Sequence, residues 1–181
     1  MRENKSLYAL LGILMFGPHT GYDIKQRIEQ RLSHFWHESY GQIYPNLKRL
    51  VELGWATLTD ELVSGRSRKI YTITKLGQIK FHEWMNQPLS PPSPEKNEML
   101  LRLYFGQNQS IEENRQLIRN YREQMEEIRS VFHTIQNQLG VAEGEPAYGR
   151  MTLGFGMHVV EAITNWCLEQ EIYLEKFNHG Q

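Results

Sequence analysis

The sequence predicts a mainly α-helical (α+β) chain in two parts: a small helical unit closed by a β-hairpin, then a unit of long helices. Three observations predict it. Apolar residues recur at helical spacing in three short stretches before residue 54, and the texture then switches to β-branched and aromatic residues on either side of one turn. Pro88, Pro91, Pro92 and Pro94 form a stretch that no helix crosses. Beyond them, two long segments carry apolar residues at every seventh position. The expected boundaries are 1–87 for the first domain, 88–94 for the linker and 95–181 for the second domain.

Composition narrows the classes of function. At 181 residues, 40% hydrophobic and 23% charged, the chain has ample length for packed cores. The net charge of −1 hides an asymmetry: residues 1–80 hold 12 Lys/Arg against 7 Asp/Glu, whereas residues 81–181 hold 8 against 14. The first part suits a polyanionic partner and the second does not. Cys167 is the only cysteine, which excludes an intramolecular disulfide and a cysteine-based zinc site. The apolar run Leu7–Phe16 is too short to span a bilayer and lacks a small-residue cleavage pattern, so the expected location is the cytoplasm.

Leu7, Leu10, Leu11 and Leu14 mark a first helix, which Gly17-Pro18 ends. A second is expected from about Thr20 to Trp36, burying Ile24, Ile28, Leu32 and Phe35, with N-terminal N–H groups free to hold a phosphate. The third, 39–53, has the S-x-x-Q spacing of a capping box in Ser39 and Gln42, and Gly54 is placed to stop it. Ile43, Leu47, Leu50 and Val51 fall on one stripe; Gln42, Pro45, Lys48, Arg49 and Glu52 fall opposite. Pro45 presses its ring on the carbonyl of Gly41, the least crowded residue for that place. Such a helix can lie in a major groove, although the same pattern fits an ordinary amphipathic surface helix.

The stretch after Gly54 decides between the two. Trp55–Val63 and Arg68–Ile73 read as strands around the turn Ser64-Gly65-Arg66-Ser67, with Arg66, Arg68 and Lys69 crowded at the tip. Thr74 caps a helix from Lys75 to about Asn86. Three short helices and a basic-tipped hairpin describe a winged helix-turn-helix, whose third helix enters the major groove while the wing runs along the backbone or minor groove.

Several stretches resemble PadR-family transcriptional regulators: Leu11-Gly12-Ile13-Leu14, Gly17-Pro18-His19-Thr20-Gly21-Tyr22-Asp23-Ile24, Gly41-Gln42-Ile43-Tyr44-Pro45-Asn46-Leu47-Lys48-Arg49-Leu50, Leu53-Gly54 and Gly65-Arg66-Ser67-Arg68-Lys69-Ile70-Tyr71-Thr72-Ile73-Thr74. The resemblance covers residues 7 to about 85. The family usually has His before the Gly-Tyr pair and Pro between the two wing arginines; here those places hold Thr20 and Ser67. It implies a homodimeric bacterial regulator, commonly a repressor, that binds a palindromic operator and responds to a small, frequently aromatic, effector. Residues 98–106 are similar to the start of the large C-terminal domain of the family's virulence-activator type. On this reading Gln42, Tyr44, Lys48 and Arg49 act at the recognition helix, with Gln42 on a base edge and the cations on phosphate. Arg66, Arg68 and Lys69 of the wing, 63–70, hold phosphates or the minor groove, and Tyr22 and Ser39 contact the backbone from helix N-termini.

In the second domain Ser110 and Glu113 form another capping box, opening a helix that ends at Leu139-Gly140. Ile111, Ile118, Met125, Phe132 and Leu139 repeat every seventh residue, and Tyr121, Ile128 and Ile135 sit three further on, a series that Asn114 breaks. This seam argues for a coiled coil, with a long helix packed inside one subunit as the weaker alternative. After a loop containing Pro146, a last helix from Arg150 to Phe177 is apolar over a wide stripe, with Leu153, Val160, Cys167 and Leu174 in one row, Val159, Trp166 and Tyr173 in a second, and Ile163 and Phe177 in a third. The dimer interface is therefore expected on Ile118, Tyr121, Met125, Ile128, Phe132, Ile135, Val159, Val160, Ile163, Trp166, Cys167, Tyr173 and Leu174.

No phosphate-cradling loop, nucleophile elbow or zinc-protease motif is present, and the expectation is a non-enzyme with neither metal nor cofactor. His34 and His37 with Glu38 fit a metal less well than they fit a polar helix end, and Gly154-Phe155-Gly156 reads as close helix approach. Trp84, Trp166, Tyr104, Tyr121 and Phe155 are large enough to line an aromatic-binding cavity, but at helical spacing most of them read as core, and the sequence assigns no ligand site. The alternative function is a winged-helix protein-interaction scaffold, against which the three cations within Arg66–Lys69 speak.

Overall fold

In the computed structural model the described residues are 4–33, 35–36, 39–63, 66–89, 91, 96–139 and 145–178, with only the backbone described at 40, 62, 63, 66, 138, 139, 145, 146, 177 and 178. They form two compact units, divided between Pro91 and Pro92.

The first unit runs α1 (Lys5–Leu14), β1 (His19–Thr20), α2 (Gly21–Arg27), α3 (Tyr40–Glu52), β2 (Ala56–Val63), β3 (Arg66–Ile73) and α4 (Lys75–Met85). Leu10, Leu11 and Leu14 of α1, Ile24 of α2 and Leu47 and Leu50 of α3 have no accessible surface and form its core. Burial of each such side chain stabilises by about 2 kcal/mol. The second helix departs from the expected form. Regular α-helix stops at Arg27, a π-helical segment covers Ile28–Leu32, and Phe35 is exposed rather than buried. The wider turn shifts later side chains off the stripe that a 3.6-residue period projects.

α3 ends in a Schellman arrangement, with Trp55 N–H donating to Leu50 O (2.9 Å), Gly54 N–H to Val51 O (3.0 Å), and Gly54 at φ 70°. Its start differs from expectation: Ser39 is the N-cap, but its hydroxyl makes no capping bond, and Gln42 N–H donates to the Ser39 carbonyl instead (2.8 Å). Asn46, on the buried side of the helix, takes a hydrogen bond from Asn4 Nδ2 (3.0 Å) and so ties α3 to the N-cap of α1. The hairpin is tighter than expected, because Val63 pairs with Arg66, so Arg66 and Ser67 belong to β3 rather than to the turn. Ser64 and Gly65 lie outside the described residues. β1 pairs antiparallel with β3, His19 opposite Tyr71 and Thr20 opposite Ile70, giving sheet order β1-β3-β2. Trp84 stacks on Tyr8, 5.0 Å between centroids, and thereby fastens α4 to α1.

The second unit comprises α5 (Glu98–Tyr104), a single 3-10 turn (Gly106–Asn108), α6 (Ile111–Leu139) and α7 (Glu145–Asn178). The Ser110–Glu113 capping box forms as expected, with Ser110 N–H and hydroxyl both 2.7 Å from the Glu113 carboxylate. Asn114, which breaks the heptad series, is buried; its Nδ2 donates to the carbonyls of Gly106 (2.8 Å) and Ser110 (3.1 Å), fastening α6 to the turn before it. Pro146 lies in the first turn of α7, not in a loop, where its missing N–H costs nothing.

α6 and α7 pack antiparallel, Phe132 beside Gly156 near one end and Arg115 to Glu175 (2.6 Å) near the other. Between lie Met125 and Val160, Leu153 joins the same cluster just before Gly156, and Arg122 bridges to Glu171 at 2.8 Å. A Cβ on Gly156 would stand 2.9 Å from Phe132 Cε2, so this glycine allows the expected close approach; Gly154 faces open space and does not. Ile118, Met125, Phe132, Val160 and Cys167 are thus already buried within one chain, leaving a partner little of them to cover. Tyr121, Ile135, Ile163, Trp166 and Leu174 are half-buried, and Ile128, Val159 and Tyr173 are exposed.

Candidate nucleic-acid interface

The start of α2 is built by two residues. Thr20 Oγ1 accepts from Asp23 N–H (3.1 Å), while the Asp23 carboxylate accepts from Thr20 N–H (3.0 Å) and hydroxyl (2.7 Å). Burial pushes the Asp23 carboxyl up, but these hydrogen bonds and the charges of His19 and Arg68 outweigh it and hold the group below its ordinary value. Of the N–H groups expected to be free for a phosphate at this helix head, those of Thr20 and Asp23 are taken up by the cap itself. A group with a lowered folded pKa stabilises above its unfolded value and loses that contribution as pH falls through the folded one. Asp23→Asn should therefore destabilise the protein at neutral pH, and the difference from wild type should shrink as pH drops below the ordinary value of 3.8. Urea unfolding of both proteins at a series of pH values checks this.

Beside this cap, Gly21 is buried under the ring of Tyr44, and a Cβ there would lie 2.6 Å from Tyr44 Cε1. The contact brings α3 against the head of α2. Pairing of β1 with β3 brings the base of the wing to the same place. The result is one open cleft of about 710 Å³ lined by Thr20, Gly21, Tyr22, Asp23, Tyr44, Arg68, Lys69 and Tyr71. Tyr22 is 61% exposed and Tyr44 55%, so both rings are open to a partner. Tyr71 forms the buried floor; burial and then Tyr44 push its hydroxyl above the ordinary value.

Four residues named from sequence, Tyr22, Tyr44, Arg68 and Lys69, thus converge on one surface. Gln42 is exposed on α3, and Ser39 is exposed at its N-cap. Lys48 and Arg49 are exposed, but both approach Glu52, at 3.9 Å and 3.1 Å, so neither is a free cation. The Arg66 side chain lies outside the described residues, as do His34, His37 and Glu38. Ser67 in the wing donates to Asp60 Oδ1 at 3.4 Å. Gly21, Asp23 and the two-residue strand β1 are not legible as site-forming from the sequence pattern; the T-x-x-D spacing of Thr20 and Asp23 is the one usable sign of the cap.

Of the five aromatics expected to be large enough for an effector cavity, Trp84 stacks on Tyr8 within the first unit, and Tyr104 and Phe155 of the second are exposed. Tyr121 and Trp166 do share an apolar cleft of about 460 Å³ with Met99 and Ile163. Among the described residues no His/Cys/Asp/Glu group could hold a metal, and no helix is long and apolar enough to cross a membrane.

Comparison with known proteins agrees with this architecture. Residues 10–83 match the transcriptional regulator PadR-like family, and residues 95–175 match the virulence activator alpha C-terminal family. The negative transcriptional regulator PadR of Bacillus subtilis is 35% identical over 99 residues, 54% of this chain and 54% of that protein. The chain spans about half the length of the curated relatives it matches. The structure of Bacillus subtilis PadR in complex with operator DNA superposes with a TM-score of 0.87 at 24% identity, over 94% of this chain and 99% of that one. That of the same protein with p-coumaric acid superposes with a TM-score of 0.81 at 26% identity, over 93% and 97%. Residues 10–83 thus form a domain of the PadR-like kind, followed over residues 95–175 by one of the virulence activator alpha C-terminal kind.

Proposed function

We propose that this chain is a homodimeric transcriptional repressor that binds a palindromic operator through α3 and the wing and is released by a small aromatic effector. The observation that carries the DNA-binding part is the cleft in which Tyr22 and Tyr44 stand exposed beside Arg68 and Lys69. Hydroxyls at a helix head and cations at a wing base suit phosphate oxygens, and the exposed Gln42 on the same helix as Tyr44 suits an adenine edge. The operator complex of Bacillus subtilis PadR, which shares the fold, supports the assignment.

Dimerisation is supported by apolar side chains that one chain leaves uncovered. Tyr148, Met151, Phe155 and Val159 recur at three- and four-residue spacing along α7, and Ile128 and Val131 lie on α6; all are exposed. A stripe of this extent marks an interaction surface. A two-fold dimer would set the recognition helices about 34 Å apart, one DNA turn. The effector part is supported by the p-coumaric acid complex of the Bacillus protein.

In vitro selection from random DNA, with salt titration of the winning fragment, tests the reading. A palindromic winner bound with steep salt dependence is expected; no enrichment, with or without added aromatic acid, would leave a protein-interaction scaffold. The double variant Arg68→Gln/Lys69→Gln should weaken operator and random DNA by similar factors and lower the salt slope by about 2. An unchanged slope would remove the wing from the interface.

A further inference from the structure

The surface assigned to DNA also carries carboxylates, placed against its cations. Glu52 is the only acidic residue of α3. One of its oxygens lies 3.1 Å from Arg49 Nη1 and the other 3.9 Å from Lys48 Nζ, so a single side chain engages both cations of the helix. In the hairpin, Glu61 stands opposite Arg68 and Asp60 opposite Lys69 in register, but the Asp60 carboxylate takes its hydrogen bond from Ser67, so the pairing of cation and carboxylate is made at Glu52.

We infer that Glu52 is a selectivity residue, a carboxylate that holds Lys48 and Arg49 back from DNA in general and gives them up to the operator. The inference rests on the DNA-binding reading above. Non-specific affinity comes almost entirely from cations replacing condensed counterions. A cation that shares a carboxylate displaces fewer of them, and the carboxylate itself is repelled by the phosphates. Exposed ion pairs are weak, so a complex that fixes Lys48 and Arg49 in specific places can break these two contacts at little cost. Loosely bound random DNA offers no such fixed geometry. Glu52 therefore lowers affinity for random DNA more than affinity for the operator, and the ratio between them is what a regulator needs among many competing sites.

The test is Glu52→Gln, which keeps shape and removes charge, with Glu127→Gln on α6 as the reference for a charge change alone. Binding to a selected operator fragment and to a random fragment of equal length is measured against salt, with circular dichroism to check the fold. Glu52→Gln is expected to bind random DNA roughly fivefold more tightly at low salt, with a slope steeper by about 1, and to gain less on the operator. Equal gains on both fragments, or no change in either, would overturn the inference. A selective loss on the operator would also overturn it and make Glu52 a base reader, for which the cytosine amino group is the partner. Wild-type protein that binds neither fragment would refute the DNA-binding reading itself, an outcome distinct from these.

Discussion

Gly77→Ala is expected to destabilise the first unit by about 3 kcal/mol or more and to abolish DNA binding with it. Inside a helix this exchange ordinarily stabilises by about 1 kcal/mol, so the sign itself is the test. A Cβ at Gly77 would stand 2.1 Å from the carbonyl oxygen of Trp55, 3.0 Å from its carbon and 2.9 Å from Ile73 Cγ1. Two of these atoms are backbone and cannot swing aside. The Trp55 carbonyl also accepts from Thr74 N–H (3.0 Å), while Thr74 hydroxyl donates to Gly54 O (2.7 Å) and accepts from Gly77 N–H (3.0 Å). The helix cap of α4, the exit of α3 and the start of β2 are thus joined at one point, and a shift at Gly77 moves all three. Urea unfolding monitored by tryptophan fluorescence reads this directly, since Trp55 and Trp84 both pack around Tyr8. Gly12→Ala, whose Cβ would meet only the Phe81 ring at 3.2 Å, is the control and should move the midpoint far less. An unchanged midpoint for Gly77→Ala would sink the account.

The contrast between these two glycines shows what a sequence can and cannot carry. Helices α1, α3, α4 and α6 were legible because their stripes and stops are local: Leu7 to Leu14, Ile43 to Leu50, Thr74 as cap, Ser110 with Glu113. The strands of the wing were legible from the same kind of pattern. The cleft was legible only in part. Tyr22, Tyr44, Arg68 and Lys69 could be named, but their meeting depends on β1, two residues long and paired with a strand some 50 positions away. So short a strand has no period to detect. The π-helical turn after Arg27 breaks the 3.6-residue projection, which is why Phe35 was expected inside. In the second unit the heptad seam was real, yet period alone does not say whether the helix opposite belongs to the same chain. Charge pairing does so for part of the seam, through Arg122 to Glu171 and Arg115 to Glu175.

That division of the apolar residues makes a sharp prediction about assembly. Val159→Glu should convert the proposed dimer to a folded monomer, whereas Val160→Glu should unfold the second unit. The two residues are neighbours on α7, but Val159 is 41% exposed and Val160 is buried against α6. A carboxylate at 159 stays hydrated in the monomer and is desolvated only if a partner covers the Tyr148–Val159 stripe. At 160 it has no such escape. Sedimentation should show the mass of Val159→Glu halved with its helical circular dichroism intact, and Val160→Glu should lose helical signal or fail to yield soluble protein. Operator affinity then carries the functional consequence. Two half-sites bound by joined subunits gain from an effective concentration near millimolar, so separating them should cost roughly 100-fold or more. The loss for Val159→Glu should be much smaller on a fragment holding a single half-site, because the DNA surface in the first unit is untouched. A Val159→Glu protein that still sediments as a dimer would move the interface off this stripe, and the half-site comparison would then show whether the cleft around Tyr22 and Tyr44 works without it.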